Sequence, residues 1–367
     1  MSFITSLAIA NPENKFSQLQ IANFMVRAMA LNDEEAQHLK ILFRASGIDT
    51  RYSAIEDYGV TEEYKFFPNN KHLEPFPSTK ARLQFFAQHA VALSKKSAVQ
   101  CLDQIPELHR KDITHIITVS CTGMFAPGLD IALVSDLELE STISRTSINF
   151  MGCYAAFNAL RIAQSFCTQD SNAKVLIVCT ELCSLHFQKE KSEDNFLANA
   201  LFADGSASLL VEAQPRQKKI NLRIDNFFCD LALEGEKGMA WSIGDLGFEM
   251  KLSSYIPEVI KTGIRKLTEA LLRANNISLG DIEYFAIHPG GKKILEAIET
   301  EIGLSKEENY FAYSVLRKYG NMSSPTVLFV LDEIAQTLDK DDNGKKILSF
   351  GFGPGLTLES LVLTIVA

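Results

Sequence analysis

Three residues carry side chains that could do chemistry at spacings that suggest a shared site. Cys153 lies in SINFMGCYAAFNALRIAQSF, where a short apolar strand meets Gly152 and then a helix of small residues. His288 follows in YFAIHPGGKKIL and Asn321 in KYGNMSSPTVLFVLDE, each at a glycine turn between regular elements. A thiol, an imidazole and an amide placed this way point to acyl transfer on a thioester. The thiolate is the nucleophile, and free cysteine ionises near about pH 8.5. A helix N-terminus offers the positive end of the macrodipole and unpaired N–H groups, and a neighbouring imidazolium lowers a thiol pKa further. The sequence therefore predicts a depressed pKa for Cys153, with the amides of the helix start available as an oxyanion hole. Asn321 cannot ionise, so it donates without competing for protons. Together with a His288 ring N–H it could hold a thioester carbonyl. If that thioester is a malonyl group, loss of CO₂ leaves an enolate, and one such donor is worth about 10²–10³ in rate.

The elements that must position these groups read as α/β. DITHIITVS, AKVLIVCTE, SASLLVEA, IEYFAIH, KKILSF and LTLESLVLTIV read as strands, rich in Val and Ile. ARLQFFAQHAVALSKKSAVQCLDQ and YIPEVIKTGIRKLTEALLRANN carry apolar residues three and four apart and read as helices. The order of parts repeats. THIITVSCTG matches IEYFAIHPGG, NFMGCYAAFNAL matches YGNMSSPTVLFVL, KVLIVCTE matches KKILSFGFG, and SASLLVEA matches LTLESLVLTIV. This predicts two duplicated halves, residues 1–214 with the cysteine and 215–367 with the histidine and asparagine, divided near the polar QPRQKK stretch. Duplication puts Cys153 and Asn321 at equivalent helix starts, so residues far apart in the chain can meet.

Bulk composition sets the outer limits. The chain has 367 residues, 46% apolar and 22% charged, ordinary for a globular protein with ample core. No apolar run reaches the roughly 20 residues needed to span a bilayer, and the N-terminus lacks the pattern of a secretion signal. Seven cysteines without regular spacing fit a reducing cytoplasm, and with the scattered histidines they argue against a metal site. A formal charge of −9 argues against nucleic acid or an anionic membrane as the main partner.

Together these segments resemble the type III polyketide synthases, the chalcone synthase-like family of the thiolase fold. The resemblance runs over nearly the whole chain. It rests on GCYAAFNALRIA, ALFADGSASLLV, IHPGG, YGNMSSPTVLFVLDE and GFGPGLTLE. It implies a layered αβαβα fold and a homodimer that needs no metal, organic cofactor or carrier protein. It further implies that an acyl group moves from coenzyme A to Cys153 and is extended with malonyl-CoA by decarboxylative condensation, the product being released in cyclised form. His288 and Asn321 become the decarboxylation and oxyanion pair, and Phe202 a gate between the coenzyme A tunnel and the cavity.

Several positions depart from the plant enzymes of that family. A second gate phenylalanine falls on Met250, and a methionine that reaches into the partner's cavity falls on Ala126. Cavity threonines fall on Cys121, Cys183 and His186, and a cavity glycine on Trp241, the only tryptophan. CTGMFAPGLD, FMGCYAAFNAL and ELCSLHF are closer to bacterial members, some of which take aliphatic starters and make alkylpyrones or alkylresorcinols. The flexible Met250 and the small Ala126 favour an aliphatic chain, while Trp241 fills space. Cys121 and Cys183 read either as redox-sensitive thiols or as small buried residues, and His186 as a cavity donor or a satisfied core histidine. Lys40, Arg44 and Arg51 in LKILFRASGIDTRYS are expected to bind the coenzyme A phosphates, with Gly290 and Gly291 letting pantetheine pass. A type III ketoacyl-carrier-protein synthase is the alternative. Those enzymes usually read HQA and GNTSAAS where this chain reads HPGG and GNMSSPT.

Overall fold

The computed structural model describes residues 1–70, 72–217, 219–253 and 256–367. The chain opens with strand β1 (Ser2–Ala10), the short strand β2 (Asn14–Ser17) and helices α1 (Gln18–Ala28) and α2 (Asp33–Ala45). Capping boxes start both helices, Ser17 with Gln20 and Asn32 with Glu35, so their first orphan N–H groups are met by local side chains. Strand β3 (Thr50–Ser53) pairs with β2 and carries Arg51. Then come α3 (Thr79–Asp103), β4 (His115–Ser120), α4 (Leu129–Asp136), β5 (Ser144–Asn149), α5 (Ala155–Gln169), β6 (Lys174–Leu182), α6 (Glu193–Leu201) and β7 (Asp204–Glu212).

The second half begins with β8 (Asn221–Leu231) and a hairpin of β9 (Met239–Gly244) and β10 (Gly247–Leu252). It continues through α7 (Ile256–Ala274), β11 (Ile282–Ile287), α8 (Lys292–Ile302), α9 (Tyr310–Tyr319), α10 (Thr326–Ala335), β12 (Lys346–Gly353) and β13 (Thr357–Val366). The predicted second helix is α7, and its predicted first residue, Tyr255, lies outside the described residues. The QPRQKK stretch falls between β7 and β8, with Lys218 outside the described residues.

Sheet pairing makes the duplication explicit. In the first half β4 lies parallel to β6, β6 antiparallel to β7, and β7 antiparallel to β1. In the second, β11 lies parallel to β12, β12 antiparallel to β13, and β13 antiparallel to β8. The two sets join where Ser2–Ile4 of β1 meet Leu222–Ile224 of β8, giving one nine-stranded sheet among the described residues. Strand β5 adds a parallel edge beside β4. It is not the buried apolar strand expected before Gly152, because four of its six residues are exposed and none is fully buried.

Alternation along each strand sorts side chains into layers. Ile116, Leu176 and Val178 face α3 and α4, while Ile117, Val119, Val175 and Ile177 face the pair α5 and α10. In the second half Ile347 and Leu363 face that same central pair, and Leu348, Phe350 and Val362 face α7 and α8. The result is five layers, αβαβα, with α5 and α10 buried in the middle. No helix among the described residues is long and apolar enough to cross a membrane.

Candidate active site

Cys153 and Asn321 each follow a glycine that the backbone demands. Gly152 has φ +89° and Gly320 has φ +71°, a region that L side chains rarely enter. A Cβ on Gly152 would collide with Pro354, and one on Gly320 would stand 2.9 Å from Arg51 and from the Leu201 carbonyl. Phe150, two residues before Gly152, is itself held at φ +61°, strain of the kind that collects at functional turns. The chain thus bends sharply to set Cys153 two residues ahead of α5 and Asn321 five residues ahead of α10. The GFGPG turn closes over the thiol, and a Cβ on Gly353 would lie 3.2 Å from the Cys153 amide nitrogen.

Asn321 is locked in one orientation. Its Oδ1 accepts from the Ser323 N–H at 2.8 Å and from the Thr326 hydroxyl at 3.3 Å. A backbone N–H can only donate, so the carbonyl must face it and the amide nitrogen must face the other way. That nitrogen donates to the Gly290 carbonyl at 3.3 Å and keeps a second N–H for a substrate. A backbone bridge ties Asn321 to Phe202: the Ala203 N–H donates to the Asn321 carbonyl at 2.9 Å, and the Asn321 N–H to the Leu201 carbonyl at 2.9 Å.

Two buried histidines behave in opposite ways. His186 has both ring nitrogens engaged, Nε2 with the Thr122 carbonyl at 2.7 Å and Nδ1 with the Phe248 N–H at 2.9 Å. Its ring stacks on Phe248. It is a satisfied core histidine that anchors the hairpin, and its nitrogens are not free to bind substrate. His288 is fully buried at the end of β11, and neither ring nitrogen has a partner among the described residues. An orphaned buried polar group costs roughly 1–3 kcal/mol, so a histidine with two of them is built for a ligand rather than for the fold.

Cys153, His288 and Asn321 line one cavity of about 560 Å³, partly open to solvent. Cys121 is on the same wall, and its sulfur accepts the Gly152 N–H at 2.9 Å. A second cavity of about 510 Å³ runs on between Ile21, Met25, Tyr58 and Phe187. The two share Cys183, Phe202, Trp241 and Met250. Trp241 is pinned there by its indole N–H, which donates to the Cys121 carbonyl at 3.0 Å.

Burial governs the protonation states. It pushes the Cys153 thiol up to about 12, with Ser323 and Asn321 pulling weakly the other way. It pulls the His288 imidazole down to about 3. The expected depression of the thiol is therefore reversed: in the empty site desolvation outweighs the helix terminus, and no imidazolium stands beside the sulfur at neutral pH. Thiol and imidazole rest as a neutral pair.

Comparison with known proteins agrees with this arrangement. The family model for chalcone and stilbene synthases, N-terminal domain, matches residues 1–215, and that for the C-terminal domain matches residues 228–367. An alpha-pyrone synthesis polyketide synthase-like protein, Pks18 of Mycobacterium tuberculosis, is 30% identical over 370 residues, covering 100% of this chain and 92% of that one. The chain belongs to the chalcone and stilbene synthase family of type III polyketide synthases. Among solved structures, PKS-I of the brown alga Ectocarpus siliculosus superposes with a TM-score of 0.93 at 28% identity, covering 100% of this chain and 98% of that one. The C-terminal type III polyketide synthase domain of Steely1 from Dictyostelium gives 0.90 at 28% identity, covering 100% and 99%. The fold is thus that of these condensing enzymes, and the chain is an acyltransferase of their kind.

In this polyketide synthase the expected coenzyme A cluster does not come together. Lys40 and Arg44 line a surface hollow along α2. Arg51 is not on a surface helix with them. It is 3% exposed, sits on β3 and lines the second cavity. Its Nε donates to Gln18 Oε1 at 2.9 Å and its Nη1 to the Phe202 carbonyl at 2.5 Å, while Nη2 is buried without a partner. Burial lowers its pKa to about 10, which still leaves it charged at neutral pH. Gly290 lines the catalytic cavity and Gly291 begins α8 beside it. Ala126 is exposed, in a separate hollow with Met124 and Ile131, so within one chain it does not touch either cavity. Cys121 and Cys183 are both buried, and burial raises the pKa of each.

Sequence reasoning missed Glu181. This buried carboxylate ends the apolar run of β6 and accepts from the Cys121 N–H at 2.8 Å, the Thr122 N–H at 3.0 Å and the Thr122 hydroxyl at 2.7 Å. Its other oxygen takes the Ser324 hydroxyl at 2.7 Å. It braces the Cys121 turn against the turn that follows Asn321. A lone acid closing an otherwise apolar strand was the available signal.

Proposed function

We propose that this polyketide synthase loads an aliphatic acyl-CoA starter onto Cys153, extends it with malonyl-CoA and releases a pyrone or resorcinol-type product. The observation that carries the chemistry is the unpartnered His288 ring in the same cavity as the Cys153 thiol and the oriented Asn321 amide. The Cys153 sulfur attacks the starter thioester carbonyl, and the bond between that carbonyl and the coenzyme A sulfur breaks. The thiol proton passes to the departing sulfur, so ionisation is coupled to acyl transfer and free coenzyme A leaves. Malonyl-CoA then lies with its thioester carbonyl toward His288 and Asn321. Its C–CO₂⁻ bond breaks, the electron pair forms an enolate held by those donors, and the enolate carbon attacks the acyl group on Cys153. A new C–C bond forms and the thiolate is released for the next round. No net electrons enter or leave, so the reaction needs no redox cofactor.

The aliphatic starter is supported by part of the second cavity, where Ile21, Met25 and Met250 give an adaptable apolar lining beside a polar set that includes Arg51, Ser53 and Asn199. The pyrone outcome is supported by the name of the Mycobacterium relative. Exposed Met124 and Ile131 beside Ala126, together with the β5 edge, support a homodimer built through that face. The test is incubation with ¹⁴C-malonyl-CoA and acyl-CoA starters from acetyl to long-chain, followed by product mass analysis. Pyrone or resorcinol products without carrier protein are expected, best with the longer chains. A single condensation that requires a carrier protein would assign the chain to ketoacyl-carrier-protein synthase chemistry instead.

A further inference from the structure

Arg51 has a place in the fold that coenzyme A binding does not explain. It is fully charged, nearly fully buried, and its hydrogen bonds go to an amide oxygen and a carbonyl rather than to a carboxylate. A buried cation held this way is a weak source of stability, since desolvation offsets what its bonds return, and the unpartnered Nη2 adds to the cost. An apolar side chain of similar length would pack the same space. What the guanidinium does provide is geometry, because its planar fork fixes two acceptors at a set angle.

Those acceptors are informative. Nη1 holds the carbonyl of Phe202, one of the four residues that line both cavities. The stem of Arg51 passes so close to Gly320 that no side chain fits there, which presses it against the turn that presents Asn321. Phe202 and Asn321 are already joined by a backbone bridge. Gln18 completes the brace: its Oε1 holds Arg51 Nε, and its Nε2 donates at 2.7 Å to the carbonyl of Ala200, in the last turn of α6 two residues before Phe202. The gate residue and the oxyanion donor are therefore fixed to one rigid anchor.

We propose that Arg51, braced by Gln18, is a positioning residue that holds Phe202 and Asn321 as a single unit, so that the opening between the cavities stays in register with the amide that stabilises the enolate. The idea rests on the condensing chemistry proposed above. It predicts that loss of the anchor harms condensation and chain length more than loading of Cys153 from acetyl-CoA, a starter too short to depend on the second cavity that Arg51 lines.

The experiment compares wild type, Arg51→Met, Arg51→Lys and Gln18→Ala in three measurements: acyl loading by intact-protein mass, condensation rate with product length, and melting temperature. Wild-type turnover of malonyl-CoA tests the condensing reading by itself, so a failure there is distinct from a failure of the anchor. For Arg51→Met the expected result is condensation down about tenfold, as for one charge-assisted hydrogen bond, a smaller loss in loading from acetyl-CoA, and earlier release of shorter products. Arg51→Lys, which can still reach one carbonyl, should recover part of the rate. Gln18→Ala should show the same split more mildly and covers the case in which Arg51→Met folds poorly. Loading and condensation falling together in proportion to melting temperature would overturn the proposal, and so would a wild-type product profile in Arg51→Met.

Discussion

At the scale of single residues, the resting state of Cys153 departs from what a helix start alone would give. The sulfur has the helix terminus and a histidine in its cavity, yet burial raises its pKa to about 12 and lowers that of His288 to about 3. A raised thiol pKa means that the thiolate fraction grows with pH throughout the accessible range. Inactivation of the free enzyme by iodoacetamide should therefore accelerate about tenfold per pH unit between roughly pH 6 and pH 9, with no plateau. A rate that stays flat over that interval would mean a preformed thiolate–imidazolium pair.

At the scale of elements, the β9–β10 hairpin decides what the cavities can hold. Its register pairs Trp241 with Met250, and both side chains line the two cavities at once. His186 holds the hairpin from below through the Phe248 N–H. Trp241→Gly should merge the two spaces, shift products to longer starters or more extensions by mass, and cost roughly 2 kcal/mol of stability for the lost packing. An unchanged product ladder would show that Trp241 is not the limiting wall. The hairpin also marks where sequence reading gave out. Cys153, His288 and Asn321 were legible because glycine turns and helix starts are local features. The hairpin, β1 and β8 were not, since β8 interrupts its apolar residues with Arg223, Asp225 and Asn226, whose side-chain partners lie on its own strand, on the distant β13 or, for Asn226, at Asn275 just past α7. Arg51 was misread for a similar reason: a cation in a mixed segment reads as surface, and only the packing of β3 between Gln18 and Phe202 buries it.

At the scale of the whole molecule, duplication is what makes the site possible. The same run of strands is built twice, the two central helices α5 and α10 share the middle layer, and the turns before them bring Cys153 and Asn321 to one cavity. The first half brings the nucleophile to that point, and the second brings the imidazole and the amide, from residues 135 and 168 positions further along by their numbers (288 − 153 and 321 − 153). Each half alone would hold only part of the chemistry, so loading and decarboxylation should separate when residues are removed one at a time. Intact-protein mass spectrometry after incubation with an acyl-CoA starter tests this most directly. Wild type and Asn321→Ala should both gain the mass of the acyl group, whereas Cys153→Ala should gain nothing. An acyl mass that persists in Cys153→Ala, or that never appears on wild type, would contradict the assignment of Cys153 as the residue that carries the growing chain.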